Sequence, residues 1–264
     1  MISDFLSVQQ ITIHFETLSV PPPYSHRYTF DLKLSPDNLR VQYHLKYTDR
    51  GELNEAEIWE EGFSDNDDFS WEGSLPFVWL DTLLAIWQTT SLVSEEEYSE
   101  PIENRLFIVA HLGDGQQVVG IPQKMQEWEY LLQELTQAVY EAAHREHPLQ
   151  IRYLERSAKG EELKLSVIIR FLNRSIKITW QQGKQKQSYD LPWEESKSFL
   201  QKLYRLDFHH GYARTKTPNR PDKYLDPGDG RWYPLQKGVT NPGKGNYFGE
   251  IIHFLSGLTK ASAK

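Results

Sequence analysis

The residues on either side of Ser35-Pro36-Asp37-Asn38 alternate strictly between apolar and polar. Before the break, Tyr28, Phe30, Leu32 and Leu34 alternate with Thr29, Asp31 and Lys33; after it, Leu39, Val41, Tyr43, Leu45 and Tyr47 alternate with Arg40, Gln42, His44 and Lys46. Successive side chains of a strand point to opposite faces, so this pattern makes two strands with one dry face and one wet face. The Ser-Pro-Asp-Asn segment is turn chemistry and joins them as a hairpin. One-sided burial is the mark of an antiparallel sheet, whereas a parallel sheet is covered on both faces and reads as continuous apolar runs.

The same period recurs. Ile11, Ile13 and Phe15 share one face near the start, and Pro21-Pro22-Pro23 predicts an extended connection to the hairpin. A weaker strand is expected over 57–63, followed by an acidic loop. Strands are predicted at 106–112 and 117–121 around Gly113-Asp114-Gly115, and a second strand-rich stretch opens at Leu149. There Arg152 separates Ile151 from Tyr153, Lys164 and Arg170 lie among Leu163, Leu165, Val167, Ile169 and Phe171, and Lys177 separates Ile176 from Ile178. A short strand at 187–191 ends the series.

Helices interrupt the strands. Ser74 as N-cap and Pro76 in the first turn predict a buried helix over 77–89 carrying Trp79, Leu83, Ile86 and Trp87. Pro122 is expected to open a helix whose stripe is Met125, Trp128, Leu132, Leu135, Val139 and Ala142, stopping before His147-Pro148. A third is predicted over 192–206, with Trp193, Phe199, Leu200 and Leu203 inward. A last one is capped by Asn246 and carries Tyr247, Ile251, Leu255 and Leu258. Residues 207–245 are rich in Gly, Pro and aromatics and show no period.

The expected class is therefore α+β: two ββββα-like units, 7–92 and 149–206, with 104–145 either a ββα insertion between them or the helix-bearing completion of the first unit. Leu75-Pro76, Ile121-Pro122 and Leu191-Pro192 each mark a strand-to-helix change, which suggests an internal duplication. Two domains are expected, an acidic one at 1–146 and a basic one at 147–264. In element order alone, paired ββββα units resemble the Whirly and PUR families, and that resemblance implies single-stranded nucleic-acid binding. No motif residues match, so no residue role is carried across.

The net charge of −8 conceals a division. Residues 1–150 hold 8 Lys+Arg against 26 Asp+Glu, whereas 151–264 hold 21 against 11, and positions 51–104 contain no cation. Such asymmetry points to charged partners or to attraction between acidic and basic surfaces. The absence of cysteine excludes disulfides, thiolate catalysis and Cys-ligated metals. No basic region followed by an apolar run opens the chain, and Pro76 and Asp81 interrupt the longest apolar stretch. The expectation is a cytoplasmic protein without a membrane partner.

Strand alternation places Arg152, Lys164, Arg170 and Lys177 on the polar face of the second sheet, with Lys184 and Lys186 just beyond. A cationic sheet face can follow a phosphate backbone, and Tyr189, Tyr212, Tyr224, Trp232 and Tyr233 are candidate stacking platforms. A second candidate is the loop containing His209, His210, Tyr212 and Arg214. Adjacent histidines diverge, and the i, i+4 spacing of helical zinc sites is missing, so no metal is assigned there even with Asp226 or Asp229 nearby. Asp65-Asn66-Asp67-Asp68 has the oxygen ligands for weak calcium binding, but a solvated loop accounts for it better. Pro242-Gly243-Lys244-Gly245 lacks phosphate-loop spacing, and no nucleotide or hydrolase signature occurs elsewhere. The reading is a non-catalytic, cofactor-free binding protein with single-stranded nucleic acid as partner. The alternatives are an assembly module pairing acidic with basic surfaces, and a small-ligand binder or enzyme using 207–245.

Overall fold

The protein is described by a computed structural model covering residues 8–64, 66–98, 103–243 and 245–260. Asp65 and Lys244, in two of the loops singled out above, and the side chain of Leu258 lie outside the described set. The chain forms two compact units, Met1–Glu146 and His147–Lys264. Both are α+β, with antiparallel sheets and packed helices.

In the first unit, β1 (Val8–Thr17), β2 (His26–Leu34) and β3 (Leu39–Tyr47) form a meander. The Ser35–Asn38 turn closes the second hairpin through the Ser35 N–H and the Asn38 carbonyl, 3.1 Å apart. Then come α1 (Glu55–Glu60), β4 (Phe69–Leu75), α2 (Phe77–Gln88), β5 (Leu92–Val93), β6 (Asn104–Leu112), β7 (Gln117–Pro122) and α3 (Met125–Ala142). The seven strands lie in the order β4-β3-β2-β1-β6-β7-β5. Of the two readings of 104–145, the structure shows the completion of the first unit: β6 and β7 extend its sheet rather than standing apart from it.

Tight alternation fixes the register. Ile13 opposes Phe30 and Ile108, Phe30 opposes Tyr43, and all four are shielded from solvent. On this dry side Tyr140 of α3 meets Phe69 in a tilted contact at 5.3 Å and Tyr43 edgewise at 6.4 Å. Trp128 is buried in the α3 stripe and donates its indole N–H to Thr90 Oγ1 at 3.0 Å.

Four sequence expectations change here. The strand expected at 57–63 is the helix α1: Asn54 accepts from the Glu57 N–H while the Glu57 carboxylate accepts from the Asn54 N–H, a reciprocal cap that starts a helix. The edge strand is instead β4, and Ser74 lies in it, opposite Arg40, rather than capping α2. Pro122 ends β7 opposite Leu92, so α3 starts three residues later. The triple proline turns back on itself: the N–H groups of Tyr24 and Ser25 both donate to the Pro21 carbonyl. In addition, α2 buries Trp79, Leu80 and Leu83 but leaves Phe77 exposed.

The second unit runs β8 (Leu149–Arg156), β9 (Glu162–Arg170), β10 (Ser175–Gln182), β11 (Gln185–Leu191), α4 (Glu194–Leu203), β12 (Asp207–Phe208), β13 (Asp222–Asp226), β14 (Tyr233–Pro234), α5 (Leu235–Gly238), β15 (Val239–Thr240) and α6 (Tyr247–Lys260). Its main sheet has the order β11-β10-β9-β8-β13-β14, and β12 pairs with β15. The dry face carries Ile151, Tyr153, Leu165, Val167, Ile176 and Ile178. Phe199 and Leu203 of α4 and Ile251 and Leu255 of α6 are buried, and Phe199 stacks on Phe254 with ring centres 4.8 Å apart. The second sheet repeats the first in connection order: a four-strand meander, extended beyond its first strand by a later antiparallel pair.

Candidate nucleic-acid interface

The site lies on the wet face of the second unit's main sheet. Directly opposed residues form rows across it. One row is Asp226, Arg152, Ser166, Thr179 and Ser188; the next is Tyr224, Leu154, Lys164, Gln181 and Lys186. Two of these positions are unusual for a wet face, because Leu154 and Tyr224 are buried. Trp232 covers them, and the three form one apolar cluster.

The segment that carries Trp232 is held by its glycines and one carboxylate. Asp226 is buried, and its Oδ1 accepts the backbone N–H groups of Gly228 at 2.9 Å and Gly230 at 3.1 Å. Both glycines have positive φ, which a side chain would oppose. Asp226 Oδ2 accepts from Arg152 Nε at 2.8 Å and from Arg152 Nη2. The Arg152 guanidinium also sits 4.9 Å from the centre of the Trp232 ring, close enough for a cation–π contact. Two bridging hydrogen bonds between Arg214 and Trp232, of 3.0 and 2.8 Å, fasten the far strand of the segment.

The result is an open groove of about 330 Å³ between the sheet and this segment. Ser166, Thr179 and Gln181 line it on the sheet side, Thr217 and Trp232 on the other, and Arg152, Lys164 and Lys186 reach it. Lys164 bonds Glu162 at 2.7 Å, and Glu162 also pairs with Arg156. The Lys164 ammonium, with Arg156 behind it, holds the Glu162 carboxyl below its ordinary range despite a small opposing effect of burial. Lys186 is exposed and makes no ion pair among the described residues. Arg152 spends two of its five N–H donors on Asp226. The groove thus offers two partly engaged cations, one unengaged cation and four hydroxyls or amides to an anion.

The six cations expected on one surface are divided. Arg152, Lys164 and Lys186 line the groove. Lys177 lies one row away, opposite Asp190 and Ile168, and Arg170 ends β9 opposite Ser175. Lys184 is in the turn between β10 and β11. The stacking platforms are corrected more severely. Tyr224 and Tyr233 are core residues, and Trp232 keeps 6% of its surface, because the sheet needs them as apolar cover. Tyr189 opposes Ile178 on the dry side. Tyr212 is exposed.

The loop histidines point to different partners. His209 Nε2 contacts Thr240 Oγ1 at 3.0 Å, whereas His210 Nδ1 contacts the Tyr233 hydroxyl at 3.0 Å. That hydroxyl donates to Asp229 Oδ2 at 2.6 Å. Burial, reinforced by the Asp229 carboxylate, pushes the Tyr233 phenol up to about 12. No cluster of three metal-ligating side chains occurs among the described residues. In the acidic loop, Asp67 is occupied by Arg50 and Ser64, and Asp68 accepts the Tyr47 N–H.

Sequence reasoning considered Asp226 only as a metal ligand and left Ser166, Thr179 and Thr217 out of the site. Asp226 had a signal, since a carboxylate before Pro-Gly-Asp-Gly is positioned to accept the N–H groups of the turn that follows. The two sheet hydroxyls follow from extending the alternation of Lys164 and Lys177. Thr217 has no periodic neighbour and no such signal. No protein-family model, curated protein or solved structure matches the chain.

Proposed function

We propose that the protein is a non-catalytic binder of single-stranded nucleic acid, and that the groove of the second unit takes one phosphate-bearing segment of the strand. The observation that carries this reading is the convergence of Arg152, Lys164 and Lys186 on a groove with Ser166 and Thr179 in its floor. Cations neutralise phosphate charge, while neutral hydroxyls hydrogen-bond phosphate or sugar without adding repulsion. The groove is roughly the size that small ligands occupy. The second unit's balance of 21 Lys+Arg to 11 Asp+Glu supports the same reading.

Fluorescence anisotropy with a labelled oligothymidylate over a range of salt tests it. Each phosphate contact adds about 0.7 to the slope of log affinity against log salt for a single strand. Lys164→Gln/Lys186→Gln lowers that slope by about 1.4. An unchanged slope, or no binding by the wild-type chain at low salt, defeats the reading.

A second reading rests on the opposite charges of the units: copies associate through acidic and basic surfaces. Sedimentation at low and high salt tests it, and a monomer under both conditions removes it. Among the described residues no helix is long and apolar enough to cross a membrane.

A further inference from the structure

The first unit is strongly acidic, yet the wet face of its sheet is not. Alternation puts five of its eight Lys and Arg residues there: Arg27, Lys33, Arg40, Lys46 and Arg105. Of its 26 acids, three lie on that face: Glu16, Asp31 and Glu72. No residue pointing outward from β1, β2 or β3 is buried, so no described segment of the first unit covers this face in the way that Trp232 covers the other sheet.

The placement of the cations is costly. Arg27 is directly opposite Lys46, and Lys33 is directly opposite Arg40. Like charges in direct cross-strand register repel. Arg105 is neutralised by Glu16 at 3.2 Å, but none of the other four cations forms an ion pair among the described residues. One hairpin therefore carries two repulsive pairs, one at each end, on an open face. Glu16 on β1 opposes Arg27, but Lys33 and Arg40 have no acid directly opposite on either neighbouring strand.

The two pairs lie six positions apart along each strand, a span of about 20 Å. A mononucleotide or inorganic anion meets one pair only, whereas an extended polyanion meets both. Between the pairs the face carries Thr29, Gln42 and His44, which hydrogen-bond without charge, and Asp31, whose carboxylate accepts from Gln10 and Thr12, and β6 adds the half-buried ring of Phe107 beside His14. Unpaired bases need hydrogen-bonding edges and an apolar or aromatic surface, both of which a duplex hides inside its stack.

We infer that the outer face of the first unit's sheet is a second binding surface for single-stranded nucleic acid, with the strand lying along β2 and β3 from Arg27 and Lys46 to Lys33 and Arg40. This surface is separate from the groove of the second unit and does not depend on it.

The test compares the full-length chain with the quadruple variant Arg27→Gln/Lys33→Gln/Arg40→Gln/Lys46→Gln, a Lys124→Gln/Lys159→Gln control from elsewhere on the surface, and the groove variant Lys164→Gln/Lys186→Gln. Oligothymidylate anisotropy is measured against salt, with polyglutamate and a duplex of equal length as competing probes. The expected result has two parts of opposite sign. The quadruple variant loses about 2.8 from its salt slope, about 0.7 for each cation. It also melts about 2 °C higher, because the repulsive pairs are gone. The control changes neither quantity. A wild-type slope in the quadruple variant overturns the inference, as does a lower melting temperature. Competition by polyglutamate or duplex as strong as by the single strand also overturns it. Loss confined to the groove variant refutes this face and leaves the groove standing, and loss confined to the quadruple variant does the reverse.

Discussion

Arg152 and Asp226, 74 positions apart in sequence, meet in register on adjacent strands, and two guanidinium N–H groups converge on one carboxylate oxygen. The other oxygen caps the turn at Gly228 and Gly230. One buried carboxylate therefore both neutralises a groove cation and holds the segment that brings Trp232 onto the sheet.

Asp226→Ala leaves Arg152 without its counter-ion and two turn N–H groups without an acceptor. Removing one partner of a buried pair costs several kcal/mol, and less here because 35% of the Arg152 side chain is exposed. Denaturant unfolding of the second unit should show a loss of about 2–3 kcal/mol. In a double-mutant cycle, Arg152→Ala made in the Asp226→Ala background should cost much less than in the wild type.

Tyr233 gives the second unit an alkaline limit. Its phenol ionises near 10 when unfolded and at about 12 in the fold, so the folded state holds the proton more tightly between those values. The stabilisation is complete below pH 10 and is lost as pH rises toward 12. Tyr233→Phe should flatten the fall in melting temperature across this window while also removing the hydroxyl bonds to Asp229 and His210.

Arg50 is a residue that lysine cannot replace. Its guanidinium lies 3.8 Å from the Tyr47 ring centre and 4.7 Å from that of Phe63, and it donates to Pro23 O, Ser64 O and Asp67. An ammonium can neither stack between two rings nor serve three acceptors in a plane. Arg50→Lys should destabilise the first unit by about 1–2 kcal/mol, read from its denaturant midpoint. Burial alone would raise the Asp67 carboxyl, but the bonds from Ser64 and Arg50 outweigh it and hold the group low. That contribution is present above the unfolded value near 3.9 and fades as pH falls below it, so the variant should lose less on acidification.

Gly120 lies where β7 meets the short β5. A Cβ there would stand 2.6 Å from the Val93 carbonyl oxygen, which is backbone and cannot rotate away. Gly120→Ala should cost about 1–3 kcal/mol and speed amide exchange at Leu92 and Val93, where the pairing must open. Wild-type exchange at both positions would show that the edge accommodates the methyl.

Period-two alternation made the meanders of both sheets legible, because one-sided burial leaves no other register for Ile13, Phe30 and Tyr43. It failed at β4, where Gly73 interrupts the inward series between Trp71 and Leu75 and the Trp71 ring lies over the space a Cβ would fill. Asn54 and Glu57 have the spacing of a capping box, a signal that the strand expected at 57–63 did not take into account. Prolines misled at Pro122, since the φ that suits a first helical turn suits the end of an edge strand equally well. The cations of the site were legible as residue types on one face. Their division was not, because neither the cover by Trp232 nor the engagement of Arg152 by Asp226 has a local signature.

The groove is consequently a late product of folding. The β8–β11 meander closes through short turns, but Arg152 meets Asp226 and Trp232 only after the chain has travelled through α4 and returned. Contacts of such sequence separation carry the greatest loop-closure entropy and form slowly. During refolding, the sheet should bury its dry face before the groove exists. A nascent chain that has not yet emitted Trp232 presents Leu154 to water where the folded chain has its groove.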